Sequence, residues 1–244
     1  MLIDPASLAQ DLDRLEAIEK ASLRMVAQAL FDIRESAVTT FQNETDLVQD
    51  VGEDLTRDAL DRMGVSRIDE RVFGKIDYKW ARYYFHPDFA VRQALFVDSK
   101  AEKVEGQGTA TLKTAQTSMR IRQIRVGQVV DVPGTFPTVV QTSGGDFLST
   151  TIFVKYNYTE LAQGNSLEQI TLAAVPNGML QNIYNPTPEI GFWRAGRNAP
   201  QRGEAFRVRV PFSRLKALRG WRVQSVPLPP ALFVWDEDDL PAQG

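Results

Sequence analysis

From Ser7 to about Phe41, apolar residues return at steps of mostly three and four: Leu8, Leu12, Leu15, Ile18, Leu23, Val26, Leu30 and Ile33. That period belongs to one face of an α-helix, not to a strand. A second set, Leu47, Val51, Leu55 and Leu60, predicts another helix over about 44–63, ending near Gly64. Neither keeps a strict heptad, so both are read as core-facing helices rather than a coiled coil. The pattern then changes. Residues 76–85 are rich in aromatic and β-favouring types, His86-Pro87-Asp88 makes a turn, and Ala94-Leu95-Phe96-Val97 is a short apolar run. An antiparallel strand pair with a buried second member is expected there. More strands are expected at 121–131, 151–157, 168–174, 206–210 and 221–226, with short helices at 110–119 and 213–218. A loop rich in Pro, Asn and Gly covers 184–203. Helices first and a mixed sheet after them predict an α/β (α+β) fold. The expected organisation is one domain over 1–244. Residues 1–70 are mainly helical, 71–226 form the mixed sheet, and 227–244 are a Pro-rich, acidic, poorly ordered tail.

Residue usage narrows the chemistry. There is no cysteine, which removes disulfides, zinc–thiolate sites and thiol nucleophiles. His86 is the single histidine, too few for a histidine-cluster zinc site and poorly placed for a serine–histidine triad. Acid–base and metal work must then come from carboxylates and lysine, which points to a hard cation, most often magnesium at phosphate. No run of 18 apolar residues exists and Met1-Leu2-Ile3-Asp4-Pro5 lacks a signal-peptide start, so no membrane association and a cytoplasmic location are expected.

The net charge of -3 conceals an uneven distribution. Residues 1–70 carry 16 acidic and 7 basic side chains, and 236–239 add four acids; the remainder holds 21 basic and 11 acidic. A basic remainder on an acidic protein suits a polyanion-facing surface, although a solvated basic face has the same composition.

The central feature is Ile76-Asp77 followed 21 residues later by Asp98-Ser99-Lys100, directly after the apolar run. Period-two alternation sends Asp98 and Lys100 to one face, at what reads as an exposed strand end. With Asp77 on the partner strand, two carboxylates and an ammonium converge, a set that holds magnesium and orients a water against a phosphate. The competing reading is a surface ion pair, worth ~0–1 kcal/mol. Pro87-Asp88 spells the Pro-Asp half of a nuclease motif but falls in the turn, away from Asp98. Glu53 and Asp54 on the second helix offer a further carboxylate, or a solvated face in which Glu53 pairs with Arg57.

From Gly191 to Arg219, eight basic residues face one acid, Glu204. In Arg207-Val208-Arg209-Val210 both guanidinium groups leave one face, suited to guanine O6 and N7 in the major groove, or to phosphate. Arg120, Arg122 and Arg125 are assigned to backbone phosphates.

These residues and their order resemble the SfiI-like type II restriction endonucleases of the Pro-Asp…Asp/Glu-x-Lys superfamily, related to BglI. The resemblance runs through Glu53-Asp54, Ile76-Asp77-Tyr78-Lys79, Val97-Asp98-Ser99-Lys100-Ala101, Ile152-Phe153-Val154, Ala195-Gly196-Arg197, Arg202-Gly203-Glu204, Arg207, Arg209-Val210 and Arg214-Leu215-Lys216. It implies a magnesium-dependent enzyme that cuts double-stranded DNA at an interrupted palindrome with GGCC halves and leaves 3′ overhangs. It carries Asp77, Asp98 and Lys100 onto the catalytic set, with Asp77 and Asp98 as metal ligands. Arg197, Arg207 and Arg209 fall on site-reading positions, Arg197 replacing a lysine. It also implies a homo-oligomer, dimer or tetramer, and a cognate DNA methyltransferase as genetic partner. The chain is shorter after Trp221 than the family pattern, which leaves the tetramer open but not the dimer. Another magnesium nuclease of the same core, and a DNA-binding protein with an inactive core, are the competing classes.

Overall fold

The computed structural model describes residues 2–45, 48–64, 81–86, 89–104, 108–195 and 207–237, with backbone alone at 49, 81–86, 195 and 207. The expected helix over 7–41 is three pieces. A 3-10 turn at Pro5–Gln10 leads to α1 (Leu12–Asp32), which Asp11 caps by accepting the Arg14 N–H. Ile33, buried with φ -99 and ψ 3, ends α1 and redirects the chain into α2 (Arg34–Asn43). Both breaks are set by local backbone geometry, which an apolar period does not report. α3 (Val48–Arg62) follows.

The strands are β1 (Ala81–His86), β2 (Val91–Lys103), β3 (Thr109–Lys113), β4 (Ile121–Arg125), β5 (Gln128–Val132), β6 (Val139–Thr142), β7 (Gly145–Glu160), β8 (Asn165–Val175), β9 (Arg194–Ala195), β10 (Arg207–Pro211) and β11 (Val223–Val226). The short helices α4 (Gln181–Tyr184) and α5 (Phe212–Leu218) lie among them. The main sheet runs β1-β2-β7-β8-β11, with β6 paired to the start of β7. β2 and β7 are parallel and the other pairs antiparallel, so the sheet is mixed as expected. A parallel pair needs a long crossover, and 104–144 supply it.

Alternation gives the sheet two buried faces. Val97, Ala101, Ile152, Val154 and Tyr156 pack with α1, α2 and α3. Phe153, Ala173 and Val175 pack with Leu112, Val208, Val210 and Phe212 of a smaller sheet, β3-β10-β9, and its neighbour α5. The fold is therefore α/β, with α2 and α3 on one face, the second sheet and α5 on the other, and α1 reaching both cores.

Two expectations give way. Residues 110–119 are not a helix but β3 with a 3-10 turn at Thr114–Gln116, because β10 offers Thr109–Lys113 a strand partner. Residues 227–237 are not loose. Phe233 stacks on Phe31 at 5.8 Å, Arg24 lies 4.9 Å over Trp235, and Glu237 pairs with Lys20 and Arg24. Residues 238–244 lie outside the described residues.

A charged cluster ties α1 to the 3-10 turn Gly220–Arg222 that leads into β11. Arg222, fully buried, donates to Glu19 at 2.8 Å and Glu16 at 3.1 Å, and packs on Tyr184 and Trp221. Burial pushes the Glu19 carboxyl up against the pull of Arg222. Burial acts likewise on Glu16, but hydrogen bonds from Tyr184 and Arg222 and the charge of Arg219 hold it below the usual carboxylate value. Among the described residues no helix is long and apolar enough to cross a membrane.

Candidate active site

Asp98 and Lys100 do share one face of β2, but in mid-strand rather than at an exposed end. The apolar run 94–97 is the first half of a thirteen-residue strand whose register with β7 continues to Lys103. Asp98 lies beside Phe153, and Lys100 beside Lys155. The described pairing with β1 ends at Phe96, two residues before Asp98. The Asp98 side chain is 22% exposed and that of Lys100 40%.

The opposite face fixes their backbone. Ser99 Oγ donates to Thr56 Oγ1 at 2.8 Å, and Thr56 Oγ1 lies 2.8 Å from the Tyr156 hydroxyl. Gly52 lets α3 come close: a Cβ there would lie 3.0 Å from Tyr156 Cδ2 and 3.3 Å from the Ala101 nitrogen. Glu53 is the next residue of α3, partly buried, on the helix that backs the strand.

On the working face the Lys100 Nζ is 3.5 Å from Asp98 Oδ2. Gln116 Nε2 donates to the same oxygen at 3.1 Å, and Lys100 donates to the Thr111 carbonyl at 3.3 Å. Lys155, its side chain 4% exposed, donates to the Thr109 carbonyl at 2.6 Å and pairs with Glu102 at 2.7 Å. Burial holds the Lys155 ammonium below the ordinary lysine value. Glu102 pulls it back up, and the charges of Lys100 and Arg209 reinforce the depression.

Sequence reasoning missed Gln116, Glu102 and Lys155. Two signals were present: Asp98-x-Lys100-x-Glu102 continues the alternation, and Lys155 interrupts an apolar run from Ile152 to Tyr156. Gln116 carried none, since only the β3–β10 pairing brings it to Asp98.

Of the other candidates, Arg209 sits on β10 between the buried Val208 and Val210, half-buried, with its backbone opposite Thr111. The backbone of Arg207 pairs with Lys113. Arg120 and Arg122 both engage Asp131 across the β4–β5 hairpin, at 2.8 and 3.5 Å. Asp77, Arg197 and the Pro87-Asp88 pair lie outside the described residues, and of His86 only the backbone in β1 is described.

Comparison with known proteins places the fold and the family. A family model described as "Type II restriction enzyme SfiI" matches residues 16–226. The SfiI enzyme of Streptomyces fimbriatus is 33% identical over 228 residues, covering 88% of this chain and 85% of that protein. The crystal structure of tetrameric SfiI bound to cognate DNA superposes with a TM-score of 0.77 at 32% identity, over 92% of this chain and 88% of that one. BglI bound to its DNA recognition sequence shares the fold, with a TM-score of 0.71 at 18% identity over 92% and 94% of the two chains.

Proposed function

The chain belongs to the SfiI-type restriction enzyme family and is a type II restriction enzyme, and from that premise we propose that Asp77, Asp98 and Lys100 form its magnesium-dependent catalytic set. The observation that carries this reading is the pair Asp98 and Lys100 on one face of β2, 3.5 Å apart, in a chain of this family. The donor chemistry fits magnesium. There is no cysteine, one histidine, and among the described residues no three His, Cys, Asp or Glu side chains gather. An ion held here relies on one or two carboxylates, waters and a substrate phosphate, which is how magnesium binds.

Asp77 and Asp98 hold the ion. When bound, magnesium lowers the pKa of a coordinated water and offsets charge on the phosphate. Gln116 keeps the Asp98 carboxylate in one orientation, and Lys100 orients the attacking water or stabilises the phosphate oxygens. Glu53 supplies an accessory carboxylate from α3. Arg197, Arg207 and Arg209 read base edges, each bidentate guanine contact discriminating by ~1–3 kcal/mol. Arg120 contacts backbone phosphate.

The substrate is double-stranded DNA at an interrupted palindrome with GGCC halves, cut to leave 3′ overhangs, and a DNA methyltransferase protects the same site. One subunit carries one catalytic set, so a double-strand cut requires two. A two-fold dimer supplies them and imposes palindromy. The tetrameric state of the SfiI relative supports a further dimer-of-dimers step, in which DNA carrying two sites is cut faster than DNA carrying one. Digestion of a fully sequenced DNA with magnesium, followed by end mapping, tests the site. Staggered 3′ ends within one interrupted palindrome are expected, and random or blunt ends refute the assignment.

A further inference from the structure

The polar groups of the working face converge on one short segment of the smaller sheet. Lys100 donates to Thr111, Lys155 to Thr109, and Gln116 to Asp98, so residues 109–116 hold both the carboxylate and the lysine of the candidate site. Gln116 is itself steadied by the Lys113 N–H at 2.9 Å. On its other side the segment pairs with β10, Thr111 opposite Arg209 and Thr109 opposite Pro211. The Phe212 N–H closes the end of this ladder on the Gly108 carbonyl at 2.8 Å. One residue, Thr111, therefore stands between Arg209 and Lys100: its backbone is in register with the first and its carbonyl receives the second. Lys155 is the one buried lysine among the described residues, and the proposed reaction gives it no task.

The two sheets differ in how firmly they are built. β2 and β7 pair over eleven positions inside the main sheet, whereas β3 and β10 pair over five. A displacement of β10 would thus pass to β3 more readily than to β2, and the lysine and glutamine bonds are the contacts that join β3 to Asp98 and Lys100.

We propose that the 109–116 segment couples base reading to cutting, with Lys155 and Gln116 as positioning residues that clamp it to the catalytic strand. Correct base pairs seat Arg209, β10 seats β3, and β3 sets Asp98 and Lys100 for the reaction. On a wrong sequence β3 is left out of place, and bound DNA is cut slowly. The inference rests on the roles given above to Asp98, Lys100 and Arg209.

The test uses the full chain, its mapped cognate duplex and duplexes with one base pair changed. Cleavage is followed in single turnover with enzyme saturating, and binding is measured separately without divalent metal. Gln116→Ala and Lys155→Met should bind cognate DNA within about twofold of the wild type. At saturation both should cut it at least tenfold slower and lose much of the rate difference between cognate and altered duplexes. Lys155→Arg should restore most of the rate. Arg209→Ala should stay slow even when fully bound. Without metal, amide exchange over 109–116 should slow with cognate DNA and not with the altered duplex. Wild-type saturated rates in Gln116→Ala, which removes two hydrogen bonds of a half-buried side chain and keeps the fold even where Lys155→Met does not, overturn the inference. So does equal exchange protection by both duplexes. A wild-type chain that cuts no DNA overturns the nuclease assignment as well, whereas an active wild type with indifferent variants overturns the coupling alone.

Discussion

Lys155 stands beside Lys100 in the parallel register of β2 and β7, two ammonium groups on one face of a sheet, with Glu102 2.7 Å from the more buried of them. Like charges side by side on adjacent strands destabilise. Glu102 offsets part of that, and the Thr109 carbonyl gives the Lys155 ammonium a hydrogen-bond acceptor.

This arrangement has a pH signature. The folded Lys155 loses its proton below the ordinary value of 10.5, first through burial. Between its folded value and 10.5 the unfolded chain binds more protons than the folded one, so stability from this group rises with pH across that window. Urea denaturation at several alkaline pH values should show the wild type gaining on Lys155→Met as pH rises. Glu102→Gln, which removes the raising influence, should steepen the gain. A difference between wild type and Lys155→Met that stays flat through the window contradicts the assignment.

The Arg222 cluster predicts a large stability effect far from the site. Removing the guanidinium in Arg222→Met leaves Glu19, 1% exposed, as a buried carboxylate without its counter-charge. Breaking a buried pair from one side costs about 3–5 kcal/mol. Adding Glu19→Gln to Arg222→Met should recover part of the loss, and a loss under 1 kcal/mol in the single variant is incompatible with a buried ion pair.

Base reading and phosphate contact separate by salt. Arg209→Ala should weaken cognate binding far more than binding to a random duplex. Arg120→Ala should weaken both alike and flatten the salt dependence by about one counterion. Because Asp131 engages Arg120 and Arg122, Asp131→Asn should strengthen binding to any duplex. Equal loss on both duplexes for Arg209→Ala reduces that residue to a phosphate contact.

Much of this is legible in the sequence itself. Apolar steps of three and four marked α1 to α3, and alternation placed Asp98 and Lys100 on one face. What escaped was set by partners distant in sequence. Residues 110–119 read as a helix because Ala, Leu, Lys and Gln favour one, yet β10, almost a hundred residues on, makes them a strand. The acidic tail read as loose because its cations, Lys20 and Arg24, lie more than two hundred residues earlier. The depth of Asp98 was hidden for a related reason. β2 continues past its apolar run because β7 pairs with it position by position to Lys103, which no local pattern announces.

The role of Asp98 as a metal-holding carboxylate is tested by comparing the wild type with Asp98→Ala on a fully sequenced DNA in magnesium, with the affinity of each for the mapped duplex measured without metal. Discrete wild-type fragments are expected, with a cleavage rate at least ~10²-fold lower in Asp98→Ala and affinities that match within a few-fold. An Asp98→Ala chain that cuts at the wild-type rate contradicts this role.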